Sequence, residues 1–323
     1  MTRLGYFGKL PAHGDFVKHC DNHALVQLLD AWLAQVMNAL TAAPRWKRHY
    51  DAMAPLRFAF VGLHSRHAIA GRIEASCDQS QRRFPFMVMS ALAIGDPAAF
   101  APCSALALAP LWQRIGQLAD GVTACRDPSA ALLALAREDI ALAPDDLVHI
   151  AQLADFLRSH TIGELQSMLA TPALPDSPAT LRELLLALGL LLRPVRRSGR
   201  AHLEKSLLLP LPAQAHLQTL VASFWLHLIA PCLAAQPFEL ALFFATRQGA
   251  PVLAIGFGGA DPLLLQALID PQSGGERLIV LDRLDWLAPQ LEQQPGLRQL
   301  SACLQQPQLS LQAACALFFD AFV

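Results

Sequence analysis

LRFAFVGLHSRHAIAGRIEASCDQSQRRFPFMVMSAL, residues 56–92, decides the fold class. Residues 56–63 and 68–75 are short apolar runs on either side of His64-Ser65-Arg66, and they read as two strands joined by a tight turn. Residues 84–92 read as a third strand. Pro85 is tolerated at its start because the missing N–H falls outside the ladder. Working outward, residues 24–40 carry Leu25, Leu28, Leu29, Trp32, Leu33, Val36, Met37 and Leu40 at helical spacing. Asp21 or Asn22 can cap that helix, and Pro44 stops it. Residues 4–8 form a short apolar run ending in glycine, a predicted strand. An alanine- and leucine-rich helical region opens at Pro97 and runs to about residue 118.

Farther on the pattern is almost wholly helical: residues 128–141, 144–158, 162–169 and 178–192, then a basic turn made by Arg193, Arg196, Arg197 and Arg200 with Pro194 and Gly199. Strand signals return at residues 206–211, 239–246 and 251–257. The last two are read as a hairpin closed by Arg247-Gln248-Gly249. Helices are predicted over 213–230, 262–268 and 309–322, with a strand at 278–281. Helices alternating with strands at both ends of the chain predict a layered α/β fold with a helical segment between. The expected division is an N-terminal α/β domain, residues 1–124, followed by a helix-rich segment and a C-terminal α/β region, residues 125–323.

Composition narrows the function classes. Apolar residues make up 54% and charged residues 16% of 323 positions, whereas a typical domain is nearer ~25% charged. Either the core is large or apolar surface is kept for a partner. The net charge of -1 speaks against a nucleic-acid binder, which needs an excess of Lys and Arg to displace counterions. Residues 1–124 carry 12 Lys and Arg against 8 Asp and Glu, while the remainder carries 13 against 18, so the first part is mildly basic. Seven irregularly spaced cysteines, with no C-x-x-C, fit reduced thiols in the cytosol. The first nine residues lack the apolar stretch of a signal peptide. Residues 220–235 are greasy but contain Ser223, His227 and Pro231, and read as a buried amphipathic helix, so no direct membrane insertion is expected.

Chemistry-bearing motifs are few. Gly256-Phe257-Gly258-Gly259-Ala260-Asp261 follows a predicted strand and precedes a helix, which invites a dinucleotide reading. Asp261 stands where the third glycine belongs, and a carboxylate there repels phosphate. The turn is better read as Asp261 capping a helix that opens on Pro262. His19 and His23 lie four apart, with His13 and Cys20 nearby, but no further ligand completes a metal set. There is no P-loop and no nucleophile elbow, and Asp145-Asp146 suits a helix N-terminus rather than a catalytic dyad. Expected, then, are no catalytic residues, no cofactor and no metal. The alternative is a nucleotide- or phosphate-handling α/β enzyme using the Gly256–Gly259 turn.

Two segments remain. Gly5-Tyr6-Phe7-Gly8-Lys9-Leu10-Pro11-Ala12-His13-Gly14-Asp15-Phe16-Val17 is a strand running into a constrained loop, in which glycine permits positive φ or close packing and Asp15 can cap nearby amides. Asp78-Gln79-Ser80-Gln81-Arg82-Arg83-Phe84-Pro85-Phe86 places an acid and two arginines before a buried strand. The two are predicted to lie together, with Asp15 contacting Arg82 or Arg83. The candidate structural or partner-binding motif is therefore Gly8, Lys9, Leu10, Pro11, Gly14, Asp15, Phe16, Asp78, Arg82, Arg83, Phe84 and Pro85.

The first segment resembles the opening signature of the TagF family, also called ImpM: an aromatic residue, Gly-Lys-Leu-Pro, then Gly-Asp-Phe. The second resembles its Asp-x-x-Gly-Arg-x-Phe-Pro signature, with Gln81 standing where the family has glycine. Trp32, Trp46, Tyr50 and Leu56-Arg57-Phe58 lie where that family places an aromatic-rich helix and a strand, and Phe243-Phe244 replaces its more usual Trp pair. The resemblance implies an α/β/α sandwich over the N-terminal domain, no catalytic activity, and a cytoplasmic accessory protein of the type VI secretion system. It further implies that the protein represses assembly or firing after translation, in contact with the forkhead-associated scaffold protein or other cytoplasmic secretion components.

Overall fold

The computed structural model of the chain describes residues 2–170, 179–198 and 203–323. Eleven strands run β1 Thr2–Arg3, β2 Gly5–Gly8, β3 Val17–His19, β4 Leu56–Gly62, β5 His67–Glu74, β6 Phe86–Ala93, β7 Asp139–Ile140, β8 Ser206–Pro210, β9 Glu239–Arg247, β10 Ala250–Gly256 and β11 Leu278–Val280. Nine of them form one sheet in the order β11-β8-β10-β9-β4-β5-β6-β2-β3. Only the β11–β8 pair is parallel among these. The helices used below are α1 His23–Thr41, α2 Trp46–Asp51, α3 Pro97–Ala107, α4 Ala109–Thr123, α5 Ser129–Ala136, α6 Leu147–Ser159, α7 Ile162–Leu169, α8 Leu181–Ser198, α9 Ala215–Leu233 and α10 Pro262–Ile269.

The architecture is mixed α/β, and side-chain alternation explains why. In β4, Phe58 and Phe60 join the core beneath α1, α2 and α10, whereas Ala59 and Val61 join the core beneath α3, α4 and α9. In β9, Ala241 and Phe243 take the first face and Leu240, Leu242 and Phe244 the second. A sheet covered on both faces needs apolar residues at successive positions, and this requirement, together with the mass of buried helix, absorbs the high apolar content. Helix α9 is long and apolar enough to cross a membrane by length and composition, but Phe224, Trp225, Leu226, Leu228 and Ile229 are all fully buried. It is a core helix packed along α3, in line with its sequence reading.

Strands on both sides of the expected boundary at residue 124 share hydrogen bonds. Strand β9 pairs with β4 from Arg57↔Phe244 to Gly62↔Glu239, and Thr2–Arg3 pairs with Asp139–Ile140. This second pairing shortens the helix expected over 128–141 to Ser129–Ala136, with Arg3 close to Asp139 at 3.5 Å. The basic turn expected at Arg193 is helical up to Ser198, with Pro194 inside α8; Gly199 and Arg200 lie outside the described residues, as does the expected start at Pro178. Thr180 caps α8 instead, its amide and hydroxyl both donating to Glu183 at 2.8 and 2.9 Å. Two further helices, Leu287–Gln293 and Pro295–Leu304, occupy a region with no predicted element.

Trp32 is 4% exposed and packs against Phe58, Phe60 and Phe243 with ring centroids 5.3–6.4 Å apart. It thereby ties α1 to β4 and β9. Its indole N–H is buried with no acceptor. Trp32→Ala is expected to cost about 3–5 kcal/mol in urea unfolding. Trp32→Phe should lose distinctly less, because no hydrogen bond goes with the N–H; equal losses would contradict this packing.

Candidate functional site

The two signature segments interlock at the edge of the sheet. Strand β2 pairs with β6, with Gly8 opposite Phe86. Gly8 has φ +139°, and a Cβ there would sit 2.1 Å from the Pro85 carbonyl oxygen and 2.7 Å from Phe86 Cα. Only glycine allows both the conformation and the approach. Lys9 then turns into the interior and its ammonium donates to Asp78 Oδ2 at 2.9 Å. The lysine side chain is 9% exposed and the aspartate 0%.

Asp78 is the centre of the arrangement. Oδ2 accepts from Lys9 Nζ and from Arg82 Nε, at 2.9 and 2.7 Å. Oδ1 accepts from the Ser80 amide and hydroxyl and from the Arg82 amide at 2.9–3.0 Å. Burial pushes this carboxyl up, but the bonds from Lys9, the Arg82 backbone, Ser80 and the Arg82 side chain outweigh it and hold the group well below the usual carboxylate range. The turn is closed by the Asp78 amide donating to the Arg82 carbonyl and the Gln81 amide donating to the Asp78 carbonyl. Gln81 adopts φ +62°, the left-handed region that glycine enters without strain. The glycine in the family signature at this position thus has a conformational reason.

The loop after β2 is fastened to this turn. The Gln79 amide donates to the His13 carbonyl at 2.9 Å, Arg82 Nη2 donates to the Gly14 carbonyl at 2.9 Å, and Ser76 Oγ donates to the Lys9 carbonyl at 2.6 Å. Leu10 is 1% exposed. Phe16 stacks on Phe7 with centroids 5.3 Å apart and meets Phe84 edge-on at 4.9 Å, while the Lys9 ammonium lies 5.0 Å from its centroid. Even so, Phe16 remains 41% exposed. Pro11, Gly14, Asp15, Phe16 and Arg82 form an exposed crest over a buried clasp.

One expected contact is replaced. Asp15 does not meet Arg82 or Arg83; its Oδ1 accepts from the Phe16 amide at 2.8 Å, capping its own loop. Arg82 is taken by Asp78, and Arg83 makes two bonds of 2.7 Å to Asp51, which hold that carboxyl below its ordinary value. Helix α2, missed in the sequence, supplies Asp51 and also Tyr50, whose hydroxyl donates to the Ser76 carbonyl and accepts from the Ser76 amide, both at 2.9 Å. The paired aromatics Trp46 and Tyr50 were its only signal.

The other motifs lie apart. Asp261 caps α10 by accepting from the Leu263 amide at 2.9 Å, and Gly259 takes φ +67°, the turn chemistry read from the sequence. His19 ends β3 and His23 opens α1. Among the described residues no three His, Cys, Asp or Glu side chains are placed to share a metal ion.

Two outcomes test the clasp. Gln81→Gly should raise stability by about 0.5–1 kcal/mol through relief of left-handed strain, read by urea denaturation; a loss would contradict the assignment. Asp78 has a folded pKa below its unfolded value near 3.8, so its contribution is present above that pH and is lost as pH falls toward the folded value. The stability gap between the wild type and Asp78→Asn should be flat from pH 7 to 5 and shrink below about pH 4. A gap unchanged down to pH 2 would contradict it.

Residues 5–137 match the family model described as the TagF N-terminal domain, type VI secretion system-associated. The chain is also similar to the crystal structure of PA0076 from Pseudomonas aeruginosa PAO1, at 26% identity over 43% of this chain and 63% of that one, with a TM-score of 0.37. The chain thus spans 63% of the length of that solved protein. No curated protein matches. Both signature segments, the buried carboxylate that joins them and the exposed crest fall inside the matched residues, and strands β8 to β11 fall outside. Residues 5–137 of this chain carry a TagF N-terminal domain, a domain associated with the type VI secretion system.

Proposed function

We propose that this is a non-catalytic accessory protein of the type VI secretion system that works in the cytoplasm and restrains assembly or firing of the apparatus by binding another of its components. The observation that carries the reading is the crest. Phe16 is a large aromatic left 41% exposed on a base of Phe7 and Phe84 that holds its ring. It is flanked by exposed Asp15 and by Arg82, whose side chain is 63% exposed. An exposed aromatic ringed by charges has the anatomy of an interface anchor, and the clasp beneath it removes the ordering cost that a mobile loop brings to binding.

Repression by such a surface needs no chemistry. A protein that binds one state of a partner better than another shifts the partner's population by that difference. The partner we propose is the forkhead-associated scaffold protein, or another cytoplasmic component, as the family resemblance implies.

Deleting the gene in its native host, under conditions where the apparatus is made, should raise secretion of the tube protein, and overexpression should suppress it. Phe16→Ser and Asp15→Lys proteins that melt within a few degrees of the wild type should lose suppression. Unchanged secretion on deletion rules out the repressor. Full suppression by both variants, with deletion still active, moves the contact away from the crest.

A further inference from the structure

On the sheet face covered by α4 and α9, away from the clasp, a half-buried guanidinium meets no acid among the described residues. Arg57, at the start of β4, lies with Cζ 4.3 Å from the ring centroid of Phe244 and 5.9 Å from that of Trp112. Its Nη2 donates to Gln218 Oε1 at 2.6 Å, and Gln218, in the first turns of α9, is itself fixed by donating to the Pro212 carbonyl at 3.2 Å. That neutral amide is the polar partner Arg57 has among the described residues. Burial lowers the guanidinium below its ordinary pKa, with no carboxylate opposing the shift. No nitrogen of Arg57 is buried without a partner, so the donors that Gln218 does not take reach solvent.

The neighbouring strand sharpens the point. Arg57 stands directly opposite Arg72 in the β4–β5 register, and like charges in that relation destabilise a sheet unless anions offset them. Arg72 has its anions: Nη2 bonds Glu74 at 2.9 Å and Asp120 at 2.5 Å, and Nη1 bonds the Gly116 carbonyl at 3.1 Å. Among the described residues Arg57 has none within ion-pair distance. This guanidinium is held against aromatic rings and a neutral amide while its remaining donors still reach solvent, which leaves them open to an anion.

We propose that Arg57 is a binding site for a single carboxylate, supplied either by an acidic residue of a partner protein or by a small free acid. A single guanidinium that no described carboxylate bonds directly offers one site for one negative charge. The planar guanidinium fork matches the two oxygens of a carboxylate, and the rings of Phe244 and Trp112 hold the fork in place. This site is independent of the crest and of the repressor reading.

The test is the melting temperature of the full chain in sodium acetate against sodium chloride at equal ionic strength and pH 7. The wild type should melt higher in acetate, by about 1 °C when acetate equals its dissociation constant, and the gain should saturate. Arg57→Met, which keeps an apolar stem over Phe244, should abolish the gain, and Arg66→Met, at an exposed arginine, should keep it. If Arg57→Met fails to fold, Arg57→Lys, which keeps the charge but loses the fork, should lose most of the gain. No gain in the wild type, or an equal gain in the Arg57 variant, overturns the site. A blocked tripeptide, acetyl-Ala-Glu-Ala-amide, gives the second arm: tighter binding than acetate assigns the carboxylate to a partner's side chain, and weaker binding assigns it to a free acid.

Discussion

A carboxylate taken out of water has to be surrounded by donors, and at Asp78 that requirement organises the whole candidate site. Five hydrogen bonds reach its two oxygens, and they come from both sides of a 69-residue separation in sequence. Lys9 can arrive only because Gly8 lets β2 lie against Pro85. The amides of Ser80 and Arg82 can point at Oδ1 only if the turn closes through a left-handed residue, which is Gln81. Breaking a buried pair of this sort strands the other charge, so the clasp is cooperative where a surface ion pair would be nearly neutral. What is rigid beneath then fixes what is displayed above: Phe16, Asp15 and the exposed arm of Arg82.

The clasp sits at one end of a sheet that the rest of the chain completes. The signature segments adjoin β2 and β6, and β4, farther along the sheet, has its second edge covered by β9 rather than by solvent. Beyond β9 come β10, β8 and β11, all from residues after 200. The helical segments between pack on the face opposite α1, where α3 and α9 run together. One consequence is Arg57, which is enclosed by Trp112 from α4 and Gln218 from α9, on either side of the helical middle of the chain.

Much of this was legible in the sequence, for identifiable reasons. Strands β4, β5, β6, β9 and β10 announce themselves because each carries an apolar run, with turns visible at His64-Ser65-Arg66 and Arg247-Gln248-Gly249. Helix α1 was legible from its spacing, and Asn22 was one of two candidates for its cap; its side chain accepts from the Leu25 amide. The proximity of the two signature segments was legible as well. Which acid meets which arginine was not. Asp15 and Asp78 are equivalent as letters, and only the backbone path through Gly8 turns Lys9, rather than Asp15, inward. Asp51 was invisible because α2 has six residues, too few to show a helical period. The same holds for β3 and β7, which are three and two residues long: their pairing is decided by distant neighbours.

The central claim is that the loop after β2 and the turn before β6 form one unit through Asp78. Native-state hydrogen exchange on the wild type and Asp78→Asn tests it most directly. The account predicts that loss of the charge accelerates exchange at Gln79, Ser80 and Arg82 and equally at His13 and Phe16 across the clasp, while β9 and β10 keep their protection. Faster exchange confined to residues 78–82, with the loop after β2 unchanged, would contradict it.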